Sequence, residues 1–355
     1  SWIILMQAII FICLLAWSFL DPGKNLWLVI AVGLGIAISS ATQDITIDAL
    51  RIEQIGENEK DLLSAGAAIS VVGWWTGYKI GGLISLVSAD ILQKQGVENY
   101  WQVSFLILSV IITLCSAGLL FIPERDSKYK IKLQSLADQK IIDKIGSSNN
   151  FAKIFAWFYS TIINPLLSFF KKNTFKVAFA ILGFVFLFKI GEAFLGRMSL
   201  VFYKEIGFSK TDIALYSKGI GWLTTVMFTL LGGLFAVRMG LIKAMFVSGV
   251  LMASTNVMFS ILAWVGTSEI LFAFTVLIDD LAAAFATVAF VGFISALVDR
   301  NYTATQYALL ASIGTAGRTL FASSSGMMVD WLNGNWIIFF IITALMVIPS
   351  LVCLF

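Results

Sequence analysis

Apolar runs long enough to cross a hydrocarbon layer recur along this chain near residues 2–20, 27–50, 62–91, 101–122, 174–203, 212–236, 241–264, 268–298, 305–329 and 335–355. A helix rises about 1.5 Å per residue, so roughly 20 apolar residues span a bilayer core of about 30 Å. Backbone N–H and C=O groups find no water there, which leaves the helix as the available form for such segments. The chain therefore reads as an all-α polytopic membrane protein with about ten spans. Composition agrees, with 59% of the 355 residues hydrophobic, 13% charged and a mean hydropathy of +0.91. Trp2, Trp17, Trp27, Tyr100, Trp101, Trp264, Trp331 and Trp336 fall near span ends, where amphipathic rings favour the headgroup level.

A net charge of +3 is too small to imply a nucleic-acid partner. Cys13, Cys115 and Cys353 lie inside apolar runs and read as small hydrophobes. The chain has no histidine, the commonest metal ligand and proton shuttle near neutral pH, so proton chemistry falls to carboxylates and no metal or cofactor is expected. Lysine and arginine collect in alternate loops. One set carries Arg51, Lys60, Lys128 to Lys172, Arg238, Lys243 and Arg300, against little more than Lys24, Lys94, Lys204 and Lys210 in the other. The positive-inside rule makes the first set cytoplasmic, with Ser1 on the same side. Ser1 reads as an internal position of a longer protein, because there is no initiator Met and the chain opens directly in an apolar run with no basic n-region and no small-residue cleavage pattern.

The polar stretch from Pro123 to Lys172 separates four spans from six. Residues 1–122 read as the remainder of an N-terminal bundle, 123–172 as a cytoplasmic linker and 173–355 as a C-terminal six-helix bundle. Within the linker, Phe151 to Phe170 is apolar and aromatic, and reads either as a helix lying in the interface or as a packed connector.

Ionisable side chains inside spans cost about 2.5–3.5 kcal/mol each on insertion scales, so each needs a partner, a cavity or a function. Asp44 and Asp48 are one turn apart on one helix face, beside Gln43. Lys79 stands among Gly73, Gly77, Gly81 and Gly82, and is either paired with an aspartate or in contact with substrate. Lys189 and Glu192, at i and i+3, form either a static ion pair or a coupling site. Asp279 and Asp280 diverge by about 100° around their helix and make a proton-site candidate. Arg318 keeps its charge and suits an anion clamp, unless it is buried against Asp279 or Asp280. Lys218 lies near a helix start and can snorkel to the interface. Substrate contact thus falls to Lys79, Lys189 and Arg318, and proton coupling to Asp44, Asp48, Glu192, Asp279 and Asp280.

Several motifs occur in a telling order: Ser40-Ala-Thr-Gln-Asp-Ile-Thr-Ile-Asp-Ala49, Ala65-Gly-Ala-Ala-Ile-Ser-Val-Val-Gly73, Lys189-Ile-Gly-Glu-Ala193, Phe202-Tyr203 with Gly207-Phe-Ser209, Ser217-Lys-Gly-Ile-Gly221 and Ala304-Thr-Gln-Tyr-Ala-Leu-Leu310. Together they resemble the AmpG-type anhydromuropeptide permeases of the major facilitator superfamily, from Trp2 to the C-terminus. Gly233 to Lys243 resembles the facilitator loop pattern, with Val237 where that pattern has an aspartate.

The resemblance implies a twelve-helix major facilitator fold, of which this chain would hold about ten helices and lack the first two. It implies a monomeric carrier in the bacterial inner membrane, importing N-acetylglucosaminyl-anhydro-N-acetylmuramyl peptides with protons for peptidoglycan recycling and, where inducible, β-lactamase induction. Gln43, Asp44, Asp48, Lys189, Glu192 and Gln306 inherit candidate roles from it. Two other readings compete: a carrier of another organic anion, such as an acyl-coenzyme A or nucleotide conjugate, and a multipass membrane enzyme or signalling scaffold.

Overall fold

In the computed structural model, residues 2–21, 23–56, 59–121, 128–146, 149–208 and 221–354 are described, and among them helices connect through turns with no strand. Four helices open the chain: α1 (Trp2–Phe19), α2 (Leu26–Gln54), α3 (Lys60–Lys94) and α4 (Tyr100–Leu119). The linker holds α5 (Lys128–Ile145), α6 (Asn150–Phe158) and α7 (Asn164–Lys172), with a π turn at Tyr159–Ile163. The remainder forms α8 (Phe175–Leu187), α9 (Ile190–Ile206), α10 (Gly221–Met239), α11 (Leu241–Val265), α12 (Glu269–Leu297), α13 (Thr303–Ala322), α14 (Ser325–Trp331), α15 (Trp336–Leu345) and α16 (Ile348–Val352). Lys218 and the first part of the 212–236 span lie outside the described residues.

By length and apolar composition, seven helical stretches among the described residues can cross a membrane. The helices α3 and α13, which carry Lys79 and Arg318, are not among those seven, although they reach 35 and 20 residues. Three of the expected spans are interrupted. The 174–203 run breaks at Phe188–Lys189, the 305–329 run at Ser323–Ser324 and the 335–355 run at Met346–Val347. Pro349 explains the last: it has no N–H for the Leu345 carbonyl, and its ring crowds the preceding turn.

The chain divides into two compact units. The first comprises Ser1–Gln54 and Gly73–Ser127. Here α1 packs on α2 and α4. Trp17 Nε1 donates to the Val29 carbonyl at 3.0 Å, and the Trp17 ring meets Phe105 at 5.2 Å. Ser104 holds α4 to α3 by donating to the Ser85 carbonyl and pairing with the Ser88 hydroxyl at 2.8 Å. In lipid such hydroxyl contacts join helices where hydrophobic burial supplies no drive.

The second unit comprises Ile55–Val72 and Lys128–Phe355. Its core is aromatic, with Phe202, Phe259, Phe272, Phe339 and Phe340 all fully buried in one cluster from α9, α11, α12 and α15. Glycine sets how closely the helices approach. A Cβ on Gly317 of α13 would collide with the Phe186 carbonyl of α8, and one on Gly191 of α9 would lie 2.6 Å from the Thr343 carbonyl of α15. α9 ends at Gly207, whose φ of +107° provides the left-handed cap that glycine adopts without strain.

Candidate functional site

The break between α8 and α9 positions the densest set of intramembrane charges in the second unit. Lys189 caps α9 at φ −100° and ψ 12°, outside helical geometry, and Glu192 falls in the first turn of that helix. The helix N-terminus carries unpaired N–H groups and a partial positive charge, which favours a carboxylate in this turn. Lys189 is buried, and its Nζ lies 2.9 Å from Glu192 Oε2 and donates to Glu192 Oε1 at 3.1 Å. The same ammonium donates to Thr287 Oγ1 of α12 at 2.7 Å, while Thr287 donates onward to the Ala283 carbonyl.

Two turns before Thr287 on α12, Asp279 accepts a hydrogen bond from Thr255 of α11 at 3.0 Å. Asp279 is within electrostatic reach of Glu192, Asp280 and Lys189. Buried Tyr203 of α9 feels both aspartates. Four of the expected residues, Lys189, Glu192, Asp279 and Asp280, therefore gather on α9 and α12. Asn256 lies beside them, fully buried, its Nδ2 without a hydrogen-bond partner among the described residues and 3.3 Å from where a Gly191 Cβ would sit.

Arg318 is elsewhere on this unit. Close packing of Gly314 and Gly317 against α8 turns that face of α13 inward. Arg318 is exposed, and no ion pair to Asp279 or Asp280 forms among the described residues. Gln306 belongs to a different arrangement. It is buried, its Nε2 donates to the Pro165 carbonyl at 2.9 Å and its Oε1 accepts from the Asp299 N–H at 2.6 Å. Ser168 adds a bond to Asp299 Oδ2 at 3.1 Å, and Arg300 donates to the Ile55 carbonyl at 2.8 Å. This latch ties linker helix α7 and the chain before α3 to the turn between α12 and α13.

In the first unit, Asp44 is exposed, Gln43 is half-buried and Asp48 is buried. Asp48 Oδ1 accepts from Arg51 Nη2 at 2.9 Å and from Nε at 3.1 Å, a two-donor pairing one turn along α2. Lys79 places its ammonium over the Trp75 ring, 5.1 Å from the centroid. Neighbouring Trp74 and Tyr78 stack at 5.7 Å and are exposed. The ring of Trp75 is thus occupied by a cation, while Trp74 stacks on Tyr78 and remains exposed.

Thr255, Thr287 and Arg51 complete these arrangements; the threonines were not singled out from the sequence, and Arg51 entered there only as a cytoplasmic loop charge. Arg51 was readable as the i+3 partner of Asp48. The two threonines were not, because only tertiary packing brings them to Asp279 and Lys189.

A helical chain with a buried Lys189–Glu192 pair at a helix break suits a carrier, and its sequence agrees: residues 1–322 match the Major Facilitator Superfamily. This chain belongs to the major facilitator superfamily. Among its relatives, this facilitator is 30% identical over 351 residues to a Rickettsia felis protein named as transporter AmpG 4, covering 99% of this chain and 77% of that one. It is 26% identical over 355 residues to the anhydromuropeptide permease of Escherichia coli K12, covering 100% of this chain and 65% of the permease. The solved proton:xylose symporter XylE superposes with a TM-score of 0.64 at 15% identity, over 99% of this chain and 78% of that one. The human organic anion transporter MFSD10 superposes at 0.60, also at 15% identity, over 99% and 76%. The facilitator is a multi-pass membrane transporter, not an enzyme.

Proposed function

We propose that this facilitator imports anhydromuropeptides across the bacterial inner membrane together with protons, and that residues 1–122 and 173–355 act as its two bundles on either side of the 123–172 linker. The observation that carries the reading is the Lys189–Glu192 pair at a helix break, with Thr287 as a second partner and Asp279 within electrostatic reach. Similarity to the Escherichia coli anhydromuropeptide permease supports the cargo.

The chemistry follows from the pairing. With Glu192 ionised, the Lys189 ammonium is neutralised within its own helix turn. Protonation of Glu192 removes that partner and leaves a buried cation, a state favoured when an anionic group takes the vacant place. Anhydromuropeptides carry such groups as stem-peptide carboxylates. Release of the proton restores the internal pair and expels the carboxylate, which links cargo movement to proton movement. Asp44 and Asp48 on α2, with Asp279 and Asp280 on α12, are the other proton-handling candidates. Gln43, Lys79 and Arg318 are candidates for sugar hydroxyls and carboxylates.

The test is uptake of labelled anhydromuropeptide by cells that lack their own permease and express the full-length protein. Uptake that collapses with a protonophore, and that unlabelled muropeptide suppresses while coenzyme A conjugates do not, supports the reading. Uptake suppressed by the conjugates alone overturns the cargo, and uptake indifferent to the protonophore overturns the coupling.

A further inference from the structure

The linker helix α6 presents its apolar stripe away from the protein. Phe151, Ile154, Phe155 and Phe158, at i, i+3, i+4 and i+7, share one face of the helix and are all exposed, Phe151 to 75%. The inward positions are held by small residues: Ala152 and Ala156 are 1% and 0% exposed. A soluble connector would reverse this pattern and bury its phenylalanines, since an amphipathic helix turns its apolar stripe toward whatever excludes water.

Several observations define what covers the stripe. The latch of Gln306 and Ser168 holds α7 at the ends of α12 and α13. Phe170 of α7 packs on Phe175 and Phe179 in the first turns of α8, at 5.9 and 5.8 Å. Helix α7 is thereby fixed beside the end of α12 and the starts of α13 and α8. Between Lys128 and Lys172 the chain carries eight lysines against two aspartates, although its whole net charge is only +3. Lys153 lies on the side of α6 away from the apolar stripe, and Lys132, Lys140, Lys144, Lys171 and Lys172 are exposed. An exposed apolar stripe on a helix that exposed lysines precede and follow in sequence fits an anionic phospholipid leaflet, where acyl chains receive the rings and headgroups receive the ammonium groups.

We infer that α5 to α7 form a lysine-flanked membrane-surface module whose occupant is the anionic phospholipid of the adjoining leaflet, with Phe151, Ile154, Phe155 and Phe158 of α6 inserted among the acyl chains. The module anchors the connection between the two halves of the chain and makes its position sensitive to lipid charge.

The experiment uses the full chain with Cys13, Cys115 and Cys353 replaced by serine and an environment-sensitive fluorophore on Phe155→Cys, reconstituted in phosphatidylcholine vesicles with or without phosphatidylglycerol. Lipid-borne doxyl groups near the glycerol level are expected to quench the probe while aqueous iodide does not. Replacing Lys171 and Lys172 with glutamate is expected to reduce the doxyl quenching about two- to fivefold in the anionic vesicles only. A probe reached by iodide and not by doxyl lipid overturns the insertion. A probe shielded from both indicates a protein cover, a second copy included, and also overturns it. Equal doxyl quenching in both vesicle types, unchanged by the lysine substitutions, overturns the dependence on anionic lipid.

Discussion

Lys189 and Glu192 form an ion pair that spans the start of a helix: Lys189 is the cap and Glu192 lies in the first turn, with 2.9 Å between Nζ and Oε2. A continuous helix through residue 188 would have kept the pair as an ordinary i, i+3 contact. The break frees the Lys189 side chain to reach Thr287 on α12 as well.

Glu192→Gln therefore leaves a buried ammonium facing a neutral amide. Removing one member of a buried pair typically costs about 3–5 kcal/mol, and the partial exposure of Glu192 places this case at the lower end. Proton-driven uptake is expected to fall at least about tenfold, the equivalent of ~1.4 kcal/mol in the rate-limiting barrier. Replacing both residues, Lys189→Met with Glu192→Leu, is expected to recover thermal stability in detergent without recovering uptake. Recovery of both in the double variant would make the pair structural.

Thr287→Val preserves shape and removes one acceptor from Lys189. A hydrogen bond to a charged group contributes about 1.5–3 kcal/mol, so the variant is expected to lose stability within that range and to keep cargo affinity within about twofold of the parent. Thermal shift and equilibrium binding, measured on the same sample, check the two halves separately.

Seven of the ten expected spans coincide with helical stretches long and apolar enough to cross a membrane among the described residues, because hydrocarbon leaves the backbone no alternative to helix and apolar length reports that directly. The interruption at Met346–Val347 was also readable, through Pro349. The interruption at Phe188–Lys189 was not, since no proline or run of glycines marks it, although Lys189 finds Glu192 and Thr287 there. The i, i+3 spacing gave the first of these partners and tertiary packing the second. Asp48 illustrates the same limit from the other side: its helical turn was evident, while its two-donor engagement by Arg51 depends on side-chain direction.

Glycines that look alike in sequence differ in what surrounds them. Gly317→Ala would drive a methyl group into the Phe186 carbonyl, a backbone atom that cannot swing aside, whereas a Cβ on Gly77 of α3 meets nothing within 4 Å. Gly317→Ala is expected to cost about 1–3 kcal/mol through overpacking and to lower the yield of folded protein. Gly77→Ala is expected to be neutral or slightly stabilising, since alanine favours helix by up to about 1 kcal/mol. Melting temperatures of the two purified variants settle the contrast.

Gln306 distinguishes a latch from a binding residue. Both ends of its amide are engaged, one by the Pro165 carbonyl and one by the Asp299 N–H, and the side chain is buried. Gln306→Leu leaves those two backbone groups without partners, at about 1–3 kcal/mol for each. The cost falls on the attachment of α7, because among the described side-chain hydrogen bonds the one from Ser168 to Asp299 is then what joins it to the turn before α13. Faster proteolysis between α5 and α8 is the expected signature, with the KM for cargo unchanged in the surviving protein. A raised KM with undiminished protection of the linker would instead move Gln306 to the cargo site and leave the latch without its central residue.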